Sequence, residues 1–412
     1  MSTPAAPKSN PGYLKLELAL KGVRLDGPGT VYSELVRDGQ DGDVPRAIEA
    51  VLPDDVWVNV PIDEGSEPSS PFLLSGGGEE FSLRRNGRSV DIRLIPQPRF
   101  YAKVTSRGTP MWRVGTVHGG CIAINPGSAC GYSLRGTPCR FCRSGSGISI
   151  EDAFPMSVQE VVEVVRAAFA EACVGFVYFN PSYVGSEDAG IAFLEPYIQA
   201  IKRHFDTLVA VQIHPPQNDQ WIDRTYAMGV DALSYGVEIH DHDALARWCG
   251  GRVRYIGRDR YYEALAYAAS VFPSGTVWSD LILGLESTES TLQGIDALVR
   301  IGVLPVLSVL RARDSRRRSP SLPAPEAVGP VFAHLFHAVR QAKINMGWVR
   351  DLSFAVTPLE ARFFAGDEAR MWVTMQHFYR SRLGTLAARS LSRLRRQLRV
   401  RRVSDSFDSA RL

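Results

Sequence analysis

The sequence predicts an α/β fold: a partial, TIM-like (β/α)6 barrel, preceded by a small β-rich domain and followed by a basic helical tail. From Val117 onward, short apolar runs alternate with helical segments of about ten or more residues. Six such units in series imply right-handed crossovers and a parallel sheet buried on both faces. A barrel and an open doubly wound sheet both satisfy this pattern, but no G-x-G-x-x-G fingerprint follows the first strand, which disfavours a dinucleotide-binding sheet. We expect domains at 1–115, 116–365 and 366–412.

The N-terminal domain is predicted to be β-rich because apolar and polar residues alternate in short runs. Residues 14–20 and 56–60 show this period of two. Between further runs, residues 63–80 are rich in Ser, Pro, Gly and acidic residues, which is typical of a loop.

The barrel units have recognisable boundaries. Their strands are expected to begin near Gly120, Phe176, Thr207, Asp231, Thr276 and Leu304. Ser157 and Glu160 have the spacing of a capping box, which predicts a helix that runs to about Cys173 and stops at Gly175. Residues 352–356 form a further strand-like run.

The tail is predicted to be an amphipathic helix. One helical stripe carries the leucines of the tail, which are Leu383, Leu386, Leu391, Leu394 and Leu398. Such a stripe packs on the barrel or on an acidic partner, with a membrane surface as the remaining alternative.

Composition and charge exclude several classes of protein. Hydrophobic residues make up 45% and charged residues 22% of the 412 residues, which excludes fibrous and disordered chains. No uncharged apolar run reaches about 18 residues and segment 1–11 has no apolar core, so we expect a cytoplasmic protein without a membrane span or secretory signal. Segment 380–402 holds nine arginines and no acidic residue. Because the net charge of the whole chain is +3, the rest of the chain has a net charge of about −6. This acidic body disfavours a nucleic-acid groove.

Four of the six cysteines fall within residues 121–142, which indicates metal or redox chemistry. Two residues separate Cys139 from Cys142, so both sulfurs can turn to one side of a tight loop, and Cys130 can return across two glycines as a third ligand. Three thiolates on a four-iron cluster leave one iron open for a small molecule. A zinc site, which needs a fourth ligand from Cys121 or a distant His, and free thiols are the alternatives.

The other three cysteines are expected to have structural roles. Cys121 begins the apolar run of the first strand, so we expect its sulfur about 10 Å or more from the loop that holds Cys139 and Cys142. Cys173 and Cys249 are expected to be buried packing residues.

The segment Cys139-Arg140-Phe141-Cys142 resembles half of the radical SAM cluster loop, C-x3-C-x-φ-C, in which φ is aromatic. Eight residues, rather than three, separate Cys130 from Cys139, and such expanded first spacings occur in that superfamily. The resemblance implies a [4Fe-4S] cluster held by Cys130, Cys139 and Cys142, with Phe141 near the adenine of S-adenosylmethionine. It also implies the reaction, in which S-adenosylmethionine is cleaved reductively and the 5'-deoxyadenosyl radical abstracts a substrate hydrogen.

The resemblance also implies cofactor contacts after the second and fourth strands. The family's Gly-Gly-Glu, which holds the methionine amine, is replaced by residues 179–183, where Asn180 and Ser182 are the substitute candidates. Glu238 stands at the family's ribose-binding position, with pairing to a nearby arginine as the alternative.

The fifth strand resembles the family pattern G-x-I-x-G-x-x-E. Ile282 would pack on the adenine and Gly284 would give the backbone room. Asp280 stands where the family has its first Gly, and Ser287 where it has its Glu.

Substrate contacts are expected at two further places. Gln212 and His214 share a face of the third strand and are candidates for cofactor or substrate binding, with a structural His as the alternative. Arg311 and Arg313 begin an arginine-rich segment after strand six that suits an anionic substrate group or forms a solvated loop.

We expect a biosynthetic enzyme with a small-molecule substrate and a flavodoxin- or ferredoxin-type electron donor. No D-x-H-x-x-G cobalamin motif is present. The alternative function is that of a zinc-stabilised nucleic-acid-binding or RNA-modifying protein.

Overall fold

A computed structural model describes residues 10–26, 47–62, 70–77, 80–86, 88–90, 92–127, 129–142, 155–171, 174–310, 325–347, 349, 352–366 and parts of 374–397. Cys173, Arg311, Arg313 and Leu398 lie outside the described residues, as do residues 63–69 and 78–79 of the predicted loop and both ends of the tail.

The N-terminal region contains helix α1 and two small sheets. Its elements are α1 (Pro11–Lys21), β1 (Arg24–Leu25), β2 (Ala47–Leu52), β3 (Val56–Pro61), β4 (Phe72–Gly77), β5 (Glu80–Arg85), β6 (Arg88–Val90), β7 (Arg93–Ile95) and α2 (Met111–Val114). One sheet has the order β1-β4-β5-β6 and the other the order β3-β2-β7. The strand predicted at residues 56–60 is confirmed.

The strand predicted at residues 14–20 is wrong, because this segment forms α1. Asn10 caps the helix through its side-chain oxygen, and Pro11 occupies its first turn. Leu16 packs in the core of the barrel and Leu18 in that of the small sheets, so α1 is buried on opposite sides. A surface helix carries its apolar residues on one side, whereas α1 carries them on two opposite sides. Its apolar and polar residues therefore alternate along the sequence as they do in a strand.

The main sheet has seven strands within the described residues. They are β8 (Gly115–His118), β9 (Cys121–Ile124), β10 (Phe176–Phe179), β11 (Leu208–Ile213), β12 (Ala232–Tyr235), β13 (Val277–Leu283) and β14 (Leu304–Val309). From β9 to β14 all neighbours are parallel and follow one another in the chain, whereas β8 pairs antiparallel with β9. A doubly wound sheet would reverse its order at a switch point. The sheet is therefore a partial (β/α)6 barrel, and its parallel strands begin within one residue of the predicted positions.

Helices follow the parallel strands, and the longer of them pack on the outer face of the sheet. Those described after α2 are α3 (Gly131–Leu134), α4 (Val158–Ala170), α5 (Ile191–His204), α6 (Gln220–Ala227), α7 (His242–Trp248), α8 (Gly250–Tyr255), α9 (Arg258–Val271), α10 (Thr288–Arg300), α11 (Pro325–Gln341) and α12 (Arg362–Ala365). The capping box of α4 is confirmed: the Ser157 hydroxyl accepts from the Glu160 amide, and the Glu160 carboxylate accepts from the Ser157 amide. The helix ends at Ala170, earlier than predicted.

The inner face of the barrel has an apolar floor near the amino ends of the strands. Its buried members, Cys121, Phe176 and Ala210, are joined by partly buried neighbours that include Trp278. Alternation along each strand sends the intervening residues outward to the helices. The floor closes the interior from below and leaves the carboxyl ends of the strands, which we call the barrel mouth, as the open side.

The last part of the chain departs from the sequence prediction at residues 352–356. Residues 352–356 do not form a strand; Val356 makes only an isolated bridge with Leu307. No helix among the described residues is long and apolar enough to span a membrane. In the described part of the tail Leu383, Leu386, Leu391 and Leu394 are exposed, and Arg396 contacts the barrel through Asp231 at 3.0 Å.

Candidate active site at the barrel mouth

The three-cysteine loop, residues 125–142, directly follows β9 at the barrel mouth. Cys130 stands at the N-terminus of the single-turn helix α3. The Cys142 amide donates to the Cys139 carbonyl at 3.1 Å, so Cys139 and Cys142 lie on one tight turn. All three are half-buried, and none of them forms a disulfide.

The loop docks on the segments that follow two other strands. The Gly131 amide donates to the Tyr183 carbonyl after β10 at 2.8 Å, and Tyr132 stacks on Tyr183 with ring centroids 3.8 Å apart. The Arg140 amide donates to the Trp248 carbonyl after β12 at 2.9 Å. These contacts place the cysteines over the centre of the sheet.

Two glycines permit this close docking. A Cβ on Gly131 would lie 2.9 Å from the Tyr183 carbonyl oxygen, and one on Gly251 would lie 2.6 Å from the Thr137 carbonyl oxygen. Both contacts involve backbone atoms, so a side chain at either position displaces the loop.

A fourth cysteine contacts the loop from α7 and α8. Cys249 is fully buried, as predicted, and its thiol donates a hydrogen bond to the Cys139 sulfur. This hydrogen bond, together with nearby Arg252, lowers the pKa of Cys139 to about 7 although burial opposes the shift. Cys139 therefore has more thiolate character at neutral pH than an ordinary cysteine.

Phe141 and Ile282 come together beside the loop. Both pack against a small buried cluster that contains Ile239, Leu245 and Leu285. Gly284 follows with a φ of 99°, a left-handed conformation that favours glycine. The loop and the fifth strand thus form one apolar wall at the mouth.

Glu238 lies at the mouth in a left-handed conformation with φ of 65°. Its Oε1 accepts from the Arg252 guanidinium at 2.5 Å, and Arg252 also donates to the Gly236 carbonyl at 2.5 Å. The arginine pairing considered from the sequence is therefore present. Glu238 Oε2 is buried and has no hydrogen-bond partner among the described residues, so one oxygen remains for a ligand.

Below Glu238, a chain of polar side chains crosses the inner face. The Tyr178 hydroxyl donates to Gln212 Oε1, and Gln212 Nε2 donates to Asp280 Oδ2 at 2.5 Å. Burial, and secondarily the charge of Glu238, raises the pKa of Asp280 to about 7. Sequence reasoning missed Tyr178, Arg252 and the side chain of Asp280, because their roles depend on neighbours from different strands.

His214 does not join Gln212 in this chain. Its Nδ1 shares a hydrogen bond of 2.6 Å with the Tyr261 hydroxyl, and its ring lies edge-on to Tyr132 and Tyr183. Burial, with Arg252 as a second cause, lowers the pKa of His214 well below its ordinary value. The contacts favour the structural alternative, in which a neutral His supports the cysteine loop.

The candidates after β10 lie at the rim of the mouth. Asn180 is exposed, and its backbone N–H donates to the Ile124 carbonyl at 3.0 Å. Ser182 accepts from Asn125 Nδ2 at 3.4 Å. Ser287 caps α10 through the Ser290 amide, which accounts for Ser where the family pattern has Glu.

The three thiols are the candidate ligands for a metal ion or cluster. Within the described ranges, no group of three or more His, Cys, Asp and Glu side chains lies together as a metal site. The three thiols nevertheless share one loop, and thiolates are the ligands that iron–sulfur clusters take. Glu238 Oε2 is buried without a hydrogen-bond partner among the described residues, so it can accept from a hydroxyl group. The chemistry of these residues therefore suits an iron–sulfur cluster beside a hydroxyl-bearing cofactor, and binding a cluster requires the loop to bring its three sulfurs together.

No protein-family model matches the sequence, and no curated protein matches it. Among solved structures, the chain is similar to the FeFe-hydrogenase maturase HydG from Carboxydothermus hydrogenoformans, with 15% identity, a TM-score of 0.42, and coverage of 54% of this chain and 51% of that chain. It is also similar to methylornithine synthase, with 12% identity, a TM-score of 0.42, and coverage of 57% of this chain and 75% of that chain. For a radical SAM methyltransferase from Sphaerobacter thermophilus, the identity is 13%, the TM-score is 0.37, and the coverage is 56% of this chain and 66% of that chain. The chain spans about half the length of the first of these.

Proposed function

We propose that this protein is a radical SAM enzyme that holds a [4Fe-4S] cluster on Cys130, Cys139 and Cys142 and acts on a small molecule. The position of the three-cysteine loop carries the proposal. The loop follows the first parallel strand of a partial barrel and docks on the segments after the second and fourth strands. In barrels of this type, the loops after the strands bear the functional residues.

The chemistry of the loop supports a cluster. Iron–sulfur clusters take thiolate ligands, and the hydrogen bond from Cys249 favours the thiolate of Cys139. A metal site is rarely preformed in the absence of its metal, because binding and local ordering are coupled. We therefore expect the loop to contract around the cluster while its contacts with Tyr183 and Trp248 keep it at the mouth.

When bound, the cluster would supply one electron for the reductive cleavage of S-adenosylmethionine, which releases methionine and generates the species that abstracts a substrate hydrogen. Glu238 Oε2 would accept from the ribose hydroxyls, while Arg252 would hold that carboxylate in place. Phe141 and Ile282 would pack on the adenine, and Gly284 would leave room for it. Asn180 or Ser182 would accept from the methionine amine.

The partners belong to the same proposal. A flavodoxin- or ferredoxin-type protein delivers the electron, and the substrate enters from the barrel mouth. The apolar floor excludes water beneath the reaction site, which protects a radical from competing hydrogen donors.

Anaerobic reconstitution tests the proposal. Protein loaded with iron and sulfide should become brown, and after reduction with dithionite it should convert S-adenosylmethionine to 5'-deoxyadenosine and methionine, slowly even without substrate. The matched control replaces Cys130, Cys139 and Cys142 by Ala together. Iron-loaded, reduced protein that forms no 5'-deoxyadenosine contradicts the proposal, and a colourless zinc-containing protein supports the zinc alternative instead.

A further inference from the structure

A group of polar side chains faces the interior of the barrel between the apolar floor and the mouth. We define the barrel chamber by the side chains that face it, which are Tyr178, Gln212, Ser234, Glu238 and Asp280. Ser234 is the cross-strand neighbour of Gln212 and shares its inward face with Ala232, which packs on the floor. A Cβ on Gly236 would lie 3.2 Å from Glu238 Oε1 and 3.3 Å from Gln212 Nε2, so both of these side chains lie against Gly236.

Two oxygen atoms of the chamber are buried without a hydrogen-bond partner among the described residues. The Tyr178 hydroxyl and Gln212 Nε2 both donate within the chamber, and Trp278 donates to Asp280. In contrast, Glu238 Oε2 and Ser234 Oγ are buried and have no partner among the described residues. Ser234 is 0% exposed, and a buried hydroxyl without a partner is costly unless a ligand satisfies it.

The chamber is also negatively charged when Asp280 is ionised. Arg252 is the cation that neutralises Glu238, and its second nitrogen is occupied by the Gly236 carbonyl. Among the described contacts, Asp280 accepts hydrogen bonds only from the neutral side chains of Gln212 and Trp278. A ligand that donates hydrogen bonds and carries a positive charge therefore complements the chamber, whereas an anion meets two carboxylates.

Asp280 and Ser234 lie deeper in the barrel than Ile282 and Gly284, and Glu238 marks the upper boundary of the chamber. Asp280 lies two residues before Ile282 in β13, which corresponds to about 6.6 Å along the strand. Ser234 lies within β12, whereas Glu238 follows after that strand has ended at Tyr235. Asp280 also stands where the resemblance has glycine, so its carboxylate is a feature of this chain and not of the shared pattern.

We propose that the barrel chamber binds a substrate through a protonated primary amine, which contacts Asp280 and Ser234. The assignment rests on the proposed function for the reaction, but binding can be measured without turnover. An ammonium group has three donors and one positive charge, and it matches the carboxylate and hydroxyl oxygens that face it. The substrate of this enzyme is accordingly an amine.

Three four-carbon probes that differ only in their polar group test whether the chamber prefers an amine. Butylamine, butanol and butyrate are titrated by ligand-observed NMR into the full chain, both as purified and after cluster reconstitution with S-adenosylmethionine. Butylamine should bind at least about tenfold more tightly than the other two, since charge-assisted hydrogen bonds exceed neutral ones. Asp280→Asn should abolish this preference and Ser234→Ala should reduce it, whereas the control Asp243→Asn should leave it unchanged, because the Asp243 side chain is 98% exposed.

The wild-type chain offers a test that needs no variant. Asp280 must be ionised to pair with an ammonium group, so butylamine affinity should rise between about pH 6 and about pH 8 and then level off. The charged and titratable groups near Asp280 are Glu238, Arg252 and Tyr178. The Asp280→Asn chain should lose this dependence.

Equal binding of the three probes, tighter binding of butyrate, or an unchanged butylamine affinity in Asp280→Asn would overturn the chamber assignment. Formation of 5'-deoxyadenosine is measured in the same reconstituted samples. Normal formation without an amine preference rejects the chamber assignment alone. Absent formation rejects the proposed function, while an amine preference that depends on Asp280 still supports the chamber.

Discussion

Cys121 and Cys130 occupy different environments although only eight residues separate them. Cys121 is the first residue of β9, is 2% exposed, and donates from its sulfur to the His118 carbonyl at 3.1 Å. Burial, and then the charge of Glu49, raises its pKa to about 12. A neutral thiol on the apolar floor is unsuited to bind iron, whereas Cys130 is half-buried within the loop itself.

The two cysteines therefore give opposite results on substitution. Cys130→Ala should lose most of the cluster iron and all cleavage of S-adenosylmethionine. Cys121→Ala should keep both and cost about 1 kcal/mol or less of packing stability. Iron content, measured by chemical assay beside 5'-deoxyadenosine formation, checks the pair, and the reverse pattern would assign the third ligand to Cys121.

At the scale of elements, the first turn of α8 fixes the cysteine loop. Gly250 and Gly251 are neighbours in this helix, yet only Gly251 faces the loop, with the Thr137 carbonyl oxygen 2.6 Å from a Cβ built on it. A Cβ on Gly250 meets nothing within 4 Å. The pair therefore separates the effect of loop position from the effect of helix propensity.

Gly251→Ala should displace residues 137–142 and reduce cluster iron severalfold, while Gly250→Ala should keep full iron content. Alanine favours a helix over glycine by up to about 1 kcal/mol, so the control should be as stable as the wild type or slightly more stable. Iron content and the free energy of unfolding are measured on both variants. Equal iron content in the two would show that the loop does not depend on this contact.

The start of α4 gives a pH-dependent element. Burial alone would raise the pKa of Glu160, but hydrogen bonds from Thr109, Ser157 and Thr105 lower it to about 2. Because the folded-state pKa lies below the ordinary value, this stabilisation is complete above about pH 4.5 and is lost as pH falls toward 2.

Glu160→Gln should thus destabilise the protein by about 1–2 kcal/mol at neutral pH, the range of a lost cap. The difference from the wild type should shrink as pH falls from about 4.5 toward 2, because the wild-type carboxylate becomes protonated. Urea unfolding at several pH values measures it. A constant difference across that range would mean that the ionised form contributes nothing.

At the scale of the whole molecule, the pattern of apolar residues predicted the barrel and the starts of its strands. Strands buried on both faces and flanked by helices keep that pattern under most packing arrangements. The same reasoning failed for α1, because two cores on opposite sides remove the one-sided stripe. It could not find Asp280 as a chamber residue, since Gln212, Trp278 and Glu238 reach it from other positions in the barrel.

A buried ion pair joins the two ends of the described fold. Lys15 donates to Glu360 at 2.8 Å and to the Leu352 carbonyl at 2.7 Å, with 3% and 5% of the two side chains exposed. Lys15→Met should cost about 3–5 kcal/mol, because Glu360 keeps a buried charge without its cation, and adding Glu360→Leu should recover part of the loss.

Urea unfolding measures this prediction, with Lys21→Met as the control. Lys21 pairs with Glu17 at 3.4 Å and is 42% exposed, so its loss should cost less than about 1 kcal/mol. A Lys15→Met cost as small as that of Lys21→Met would show that water reaches Glu360 in solution.

The same ion pair constrains the order in which the chain folds during synthesis. Lys15 and Glu360 are 345 positions apart, and the Asn10 side chain bonds the Phe363 carbonyl 353 positions away. A ribosome releases the amino end first, so α1 is made early and receives these partners only when nearly the whole barrel has emerged. Contacts this distant in sequence form slowly, because a long loop must close before they stabilise anything. Throughout most of translation the lysine on α1 is therefore hydrated, and its burial is a late step of folding.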